Sequence, residues 1–166
     1  MPLAVTHILI VIILLDLIRH YVVGKNKFPK YLLVIGGIAG LGPDIDVVLG
    51  WILSLVNGFT IDVHGAFTHS LFFVIIFFAV GLIRNYQEDK KGAKILYVIA
   101  FGWLMHLILD CTFGGVDKAF LFPIPLAANF CPQLWFAKFT ASIDAILLVL
   151  WLVHEEVQNN IKKYFL

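Results

Sequence analysis

The sequence predicts an all-α integral membrane bundle of about five transmembrane helices, formed by one domain over residues 1–166. Three observations support this prediction. Of the 166 residues, 61% are hydrophobic and 14% are charged, whereas about 25% of an average soluble domain is charged. Five apolar stretches each approach the roughly 20 residues that cross a bilayer. The basic residues also concentrate in alternate connections between these stretches.

The apolar stretches cover approximately residues 3–23, 31–56, 69–84, 94–112 and 135–153. A soluble fold of this length cannot bury so much apolar surface, so lipid is the expected solvent. The first stretch is too long for the hydrophobic region of a signal peptide, and it lacks a preceding basic region and an A-x-A cleavage site. We therefore interpret it as a retained helix.

The second stretch is predicted to be a helix broken at Gly42-Pro43, because proline removes a backbone donor and clashes with the preceding turn. Asp44 and Asp46 follow the break directly. Two acids at membrane depth are costly unless they line a cavity or bind a ligand. The break is therefore predicted to serve a function.

The connections predict the orientation of the chain. Ten of the twelve Lys and Arg residues lie in or beside segments 24–30 and 84–94 and in the C-terminal tail. Segment 57–68 has none, and segment 113–134 has only Lys118. The positive-inside rule then predicts an N-terminus outside and a C-terminus inside. Segment 113–134, which is apolar and predicted to lie outside, is expected to lie in the headgroup region.

Six ionisable residues on four of the stretches share one predicted depth. Counted from the cytoplasmic basic residues, they lie about 18–24 Å up their helices at 1.5 Å per residue. These residues are His7, Asp44, Asp46, His69, His106 and Asp110. His64, in the short outer loop, can reach the same layer. The sequence thus predicts one cluster in the outer half of the membrane.

Imidazole and carboxylate groups are common zinc ligands, and the mixed set also suits manganese or iron. His106 and Asp110 are four residues apart, so both project from one helix face. Without a metal, each buried ionisable group would need another partner. A divalent metal, with zinc favoured, is therefore predicted. Asp44 and Asp46 are candidates for ligands, for residues that orient a ligand, or for a helix cap.

Other polar residues have simpler interpretations. Thr68 and Ser70 fit the start and packing of a helix better than a nucleophile, and they remain candidate substrate contacts. Lys138 either extends to the outer interface or binds phosphate. Cys111 and Cys131 both map to the outside, where they are either paired or reduced.

The order of the motifs resembles the membrane-bound metal-dependent hydrolases, whose bacterial members are described as inner-membrane proteins under LexA control. The motifs that carry this resemblance, in chain order, are Thr6-His7, Gly42-Pro43-Asp44-Ile45-Asp46, His64-Gly65-Ala66-Phe67-Thr68-His69-Ser70, and His106-Leu107-Ile108-Leu109-Asp110 with Gly115 and Phe122-Pro123. That family is distantly similar to zinc-dependent phospholipase C and P1-type nucleases. The resemblance implies a multi-pass protein of the cytoplasmic (inner) membrane, and the charge distribution described above predicts that its site faces the extracytoplasmic side.

The resemblance also implies one or two metal ions. The first would be held by His69, His106, Asp110 and one of Asp44 or Asp46. His7 would form part of a second site, with Asp110 bridging. The family usually has an arginine where Gly65 stands, so a phosphate-binding side chain is missing here.

The implied activity is hydrolysis of a phosphate ester of a lipid or lipid-linked substrate by a metal-activated water, with Asp44 or Asp46 as general base. The alternative is a membrane transporter or metal-binding sensor that uses the same ligands. A transporter needs a polar route to the cytoplasm, and the inner halves of the stretches offer only Asp16, Arg19 and His20, which fit a local ion pair. A nucleic acid partner is not expected, since no basic patch with interleaved aromatics occurs, and the sequence carries no signal of oligomeric state.

Overall fold

A computed structural model describes residues 4–60, 63, 65, 67–114, 120–124, 131 and 140–159. Within these ranges the regular structure is helical and contains no strand, as the sequence predicts. The six α-helices are α1 (Ala4–Ile18), α2 (Tyr31–Ala39), α3 (Ile45–Asn57), α4 (Leu71–Tyr86), α5 (Lys90–Leu109) and α6 (Thr140–Asn159).

Two of these helices continue beyond their α-helical part as a π-helical turn. Arg19–Val23 extends α1, and Asp110–Gly114 extends α5. The extended helices, Ala4–Val23 and Lys90–Phe113, are the two in the described part of the chain that are long and apolar enough to cross a membrane. Only 39% of the apolar segment of each is buried in the protein, so most of it faces outward.

The expectation of five such helices is not met. The helices α3 and α4 have 13 and 16 residues, which give about 20 and 24 Å against a hydrocarbon core of about 30 Å. The helix α2 has nine residues, and α6 carries three acids. Among the described residues, length and composition therefore support two spans. The break after α2 divides the second apolar stretch into two short helices, and the predicted stretch 135–153 lies partly outside the described residues.

The predicted break is present between α2 and α3. Asp46, in the first turn of α3, accepts hydrogen bonds from the Gly65 backbone N–H at 2.9 Å and the Thr68 hydroxyl at 2.8 Å. The chain therefore returns after α3 to the place where α3 began. Only Asp46 and Gly50 of this helix are buried, so α3 leaves the bundle and comes back instead of completing a span.

The hydrophobic core lies between α1, α2 and α5. Buried apolar side chains fill it: Val11, Leu15, Phe28, Leu32, Leu33 and Val98. Glycines allow the close approach of α2 and α5, since a Cβ at Gly102 would lie 2.7 Å from the carbonyl oxygen of Gly36. This contact brings the C-terminal end of α2 beside the C-terminal end of α5, where the ionisable residues meet.

Candidate metal centre

Four parts of the chain supply the cluster. His7 lies on the second turn of α1, and Asp44 lies in the turn that precedes α3. His69 ends the short 3-10 helix Phe67–His69, and α5 carries His106 near its end, with Asp110 following it. The three histidines and Asp110 are buried, whereas the Asp44 side chain is 31% exposed. The break after α2 is what allows Asp44 to point back at the helices.

Four donor atoms converge at the centre of this cluster. The two Nε2 atoms of His69 and His106 lie 3.3 Å apart. Asp110 Oδ2 lies 3.4 and 3.3 Å from these nitrogens, and Asp44 Oδ1 lies 3.7 and 3.6 Å from them. The edge of a zinc tetrahedron with ordinary ligand bonds is about 3.3–3.6 Å. The donors are therefore spaced as the ligands of one small cation would be.

Hydrogen bonds on the far side of each ring set its orientation. His106 Nδ1 donates to the Gly40 carbonyl oxygen at 2.7 Å, and His69 Nδ1 lies 3.0 Å from Asp46 Oδ2. A neutral imidazole that donates from Nδ1 presents a lone pair at Nε2. Metal-binding histidines commonly have such a carbonyl or carboxylate behind them. Both rings are thus arranged as ligands, with Nε2 toward the shared centre.

The two acids after the break have different environments. The Asp46 side chain is 1% exposed and engages Gly65, Thr68 and His69. Thr68 is held in turn by Trp103, whose indole N–H donates to the Thr68 carbonyl oxygen at 3.0 Å. Asp44, in contrast, faces the Nε2 atoms of both rings. Asp44 therefore has the geometry of a ligand, and Asp46 that of a residue that orients His69.

His7 extends the cluster on the other side of Asp110. Its Nε2 lies 3.3 Å from Asp110 Oδ1, and its ring stacks on His106 with centroids 4.0 Å apart. The two oxygens of Asp110 therefore face different partners. His7, His106 and Asp110 together form a second group that could hold a metal ion. The bridging role that the family resemblance implies for Asp110 stays a prediction.

The remaining predicted residues vary in their placement. Ser70 is fully buried at the start of α4, and its hydroxyl has no hydrogen-bond partner among the described residues. His64 and Lys138 lie outside the described residues. Cys111 and Cys131 form a disulfide, which resolves the alternative left open by the sequence. It closes the outer segment directly beside Asp110.

Sequence reasoning missed two contributors to the cluster. The Gly40 carbonyl oxygen fixes His106, and Trp103 supports the Thr68 backbone. A backbone acceptor leaves no residue-type signal, so the first was not predictable. The position of Trp103, three residues before His106 and so on the same side of α5, is a signal that could have been used.

The donor set fits a divalent transition metal. It combines three imidazoles with two carboxylates, which zinc, manganese and iron all accept. The groups that could hold a metal ion are mostly buried, and His69 and His106 each have a hydrogen-bonding partner behind the ring. These are general requirements for a stable site in a protein.

Comparisons with curated proteins and with solved structures find no match. One family model does match, with the description YdjM inner membrane protein. The match runs over residues 1–164, which is nearly the whole chain, and agrees with the two apolar helices that can cross a bilayer. The chain therefore belongs to the YdjM inner membrane protein family.

Proposed function

We propose that this protein is a membrane-embedded, metal-dependent hydrolase that cleaves a phosphate ester of a lipid or lipid-linked substrate. The observation that carries the proposal is the spacing of the four donor atoms, 3.3–3.7 Å between carboxylate oxygens and imidazole nitrogens. Buried groups with this chemistry and spacing suit a metal site better than a set of separate hydrogen bonds. The reaction class rests on the family resemblance.

In this proposal the first ion is held by His69, His106, Asp110 and Asp44, with zinc favoured. His7 and the second oxygen of Asp110 supply ligands for another ion. A divalent metal supplies Lewis acidity, which activates a water molecule and polarises a phosphoryl oxygen. The protein supplies the orientation, because Gly40 and Asp46 keep the Nδ1 protons of the two rings away from the centre.

Asp44 is the preferred general base. Its side chain is 31% exposed, while those of Asp46 and Asp110 are 1% and 11% exposed. A general base must approach the water from which it takes a proton, and only Asp44 borders space from which a substrate could arrive. We assign Asp46 a positioning role through His69 instead of the direct catalytic role also considered for it.

Exposed aromatic side chains near the site favour a substrate that has an apolar part. Phe67, Phe72 and Phe122 are 39–45% exposed, and the ring of Phe122 lies within 6.5 Å of both others. Phe67 adjoins Thr68 and His69 in the chain. Exposed aromatic surface at a polar site is expected where acyl chains enter from a bilayer. These three residues are called the aromatic rim below.

We further propose that the site faces the extracytoplasmic side of the membrane. Two features support this orientation. The disulfide follows Asp110 directly, and disulfides persist in oxidising compartments outside the cytoplasm. At the opposite end of the bundle, Lys94 Nζ donates to the Lys27 carbonyl oxygen, so basic residues gather there as the positive-inside rule requires.

A transporter that uses the same ligands is the second candidate. A polar cluster at the other end of α1, around Asp16, favours it. Between the two clusters, however, lies the apolar core that contains Val11, Leu15 and Leu32. His7 and Asp16 are nine residues apart on one helix, which is about 13 Å at 1.5 Å per residue. We therefore favour the hydrolase.

The test compares turnover with transport in the same preparation. Full-length protein loaded with zinc is assayed in liposomes against a panel of phospholipids, lipid phosphates and soluble phosphoesters, alongside Asp44→Asn. We expect metal-dependent release of phosphate or a phosphorylated headgroup, lost in Asp44→Asn. Flux of metal or protons across the liposome with no cleavage of any panel member would refute the hydrolase and support the transporter.

A further inference from the structure

The helix α3 begins at the candidate metal centre and leaves the bundle almost at once. We propose that α3 is an interfacial helix, which lies in the plane of the membrane within the lipid leaflet on the metal centre's side and does not cross the bilayer. The partner of its apolar surface is then lipid and not another protein. This inference does not depend on the proposed hydrolase activity, because it rests on the surface, the length and the starting point of α3.

The exposed surface of α3 is almost entirely apolar. Its Trp51 side chain is 68% exposed and its Leu55 side chain 84%. Residues 47–60 include no ionisable side chain. No other described helix packs extensively against α3, so the bundle leaves this surface uncovered. Large contiguous apolar surfaces are rarely left in water. An apolar environment outside the bundle is therefore needed.

The small and polar side chains of α3 share one face of the helix. Asp46, Gly50, Ser54 and Asn57 are three or four residues apart, which places them in one line. Asp46 and Gly50, at the start of this line, are the buried residues of α3. A broad apolar surface beside a narrow polar face is typical of a helix that lies in the plane of a membrane. Because α3 has no basic side chain, apolar contact and not attraction to anionic lipids would hold it there.

The polar side chains in the second half of α3 form hydrogen bonds within the helix. Ser54 Oγ donates to the Gly50 carbonyl oxygen at 2.7 Å, and Asn57 Nδ2 donates to the Leu53 carbonyl oxygen at 2.8 Å. Such bonds satisfy polar groups without water, as a hydrocarbon environment requires. A typical protein interface, in contrast, includes about ten direct hydrogen bonds between the partners. These side chains therefore favour lipid over a protein partner.

The starting point of α3 lies near one end of both membrane-crossing helices. His7 is three residues from the start of the extended α1, and Asp110 is three residues from the end of the extended α5, which is about 5 Å in each case. Asp44, which directly precedes α3, lies beside His106 in the same cluster. The 13 residues of α3 measure about 20 Å. Along the bundle axis, roughly 15 Å of this apolar helix would project into water, whereas an orientation in the membrane plane keeps it within the leaflet.

The experiment measures the depth of nitroxide spin labels along α3 in full-length protein in liposomes. The labels are attached at Val48→Cys and Leu55→Cys, which are both exposed and share a helix face; Ile75→Cys and Leu82→Cys are a matched pair on α4, which packs along α5. Seven residues correspond to about 10 Å along a helix axis. Accessibility to oxygen, which enters lipid, and to a water-soluble nickel chelate gives the depth. We expect equal depths and high oxygen accessibility for the α3 pair, and a depth difference of most of this distance for the α4 pair.

Each other result would overturn the proposal. A depth difference of about 10 Å between the two labels on α3 would show that this helix runs along the membrane normal. High accessibility of both labels to the nickel chelate would place α3 in water. Low accessibility of both labels to both reagents would show that protein, for example a second copy of the chain, covers α3.

A second measurement needs no introduced cysteine. The difference in fluorescence between wild type and Trp51→Phe isolates the emission of Trp51, which is exposed on α3. In liposomes of brominated lipids, bromine atoms near the headgroup should quench this emission more strongly than bromine atoms near the end of the acyl chain. Stronger quenching by chain-end bromines would place Trp51 at the bilayer centre, and an absence of quenching by both would remove it from lipid. Either result would contradict an interfacial helix.

Discussion

His69 Nδ1 lies 3.0 Å from Asp46 Oδ2, and this pair connects the turn after α2 with the start of α4. The same carboxylate oxygen accepts hydrogen bonds from the Gly65 backbone N–H and the Thr68 hydroxyl. One buried carboxylate therefore fixes the position of the segment by which the chain returns to the bundle after α3. The other ring nitrogen of His69, Nε2, lies 3.3–3.7 Å from atoms of Asp44, His106 and Asp110. Asp46 thereby couples the conformation of the chain between α2 and α3 to the position of His69 in the candidate metal centre.

The first prediction concerns this pair. Asp46→Asn keeps the size of the side chain but removes the charge that stabilises the His69 Nδ1 proton. Residues that support a metal-binding histidine typically change metal affinity about 10–100-fold. We expect a loss of zinc affinity in this range, measured by competition with a chelator. Zinc affinity equal to that of the parent would contradict the positioning role.

The second prediction concerns the residues that would bind metal in the candidate metal centre. His106→Ala should lose the zinc bound there, because it removes an Nε2 that meets three other donors. Thr112→Val, a change at a hydroxyl that bonds only local helix carbonyls, serves as the control. Retention of all zinc by the His106 variant would show that the cluster is not a metal site.

Much of the candidate metal centre could be predicted from residue types and helix rise alone. His7, His106 and Asp110 lie on long helices, so counting residues gave their common depth. The assignment of Asp44 and Asp46 was not predictable, because their roles depend on how the chain turns between α2 and α3. The excursion of α3 was also missed, since its apolar sequence is the same for a membrane span and for a helix that leaves the bundle.

The third prediction concerns helix packing. Gly102→Ala would place a Cβ 2.7 Å from a backbone oxygen of α2 and 2.9 Å from the Ala39 side chain. Neither atom is the end of a flexible side chain, so α2 must move. Overpacking of this kind costs about 1–3 kcal/mol. We expect a lower melting temperature together with weaker zinc binding, because Gly40, whose carbonyl orients His106, directly follows α2. An unchanged melting temperature would indicate that the two helices separate easily.

The fourth prediction concerns orientation in the membrane. Both native cysteines are in the disulfide, so a single introduced cysteine is the only thiol that reacts. A membrane-impermeant maleimide applied to intact cells should label Phe59→Cys and not Lys27→Cys. Both positions are exposed, which makes the pair matched for accessibility. The charge distribution and the disulfide motivate this expectation. Labelling of Lys27→Cys alone would show that the orientation is the opposite one, with the candidate metal centre on the cytoplasmic side of the membrane.

The fifth prediction concerns the aromatic rim and follows from the proposed hydrolase activity. If Phe67 and Phe72 contact acyl chains, then replacing both with Ala removes apolar contact area from the bound lipid but leaves the metal ligands unchanged. Each buried aromatic side chain contributes about 1.5–3 kcal/mol. We therefore expect KM for a long-chain lipid ester to rise at least about tenfold, while turnover of a short soluble ester and zinc content stay constant.

The two substrates distinguish an effect on recognition from an effect on the metal centre. A double variant that loses activity on both esters would have disturbed His69, which Phe67 adjoins in the chain. Zinc content measured on the same sample identifies that case. Equal KM values for the long-chain ester in the parent and the variant, at unchanged zinc content, would show that the substrate does not approach across the aromatic rim. In that case the proposed substrate would be a water-soluble phosphoester and not a lipid ester.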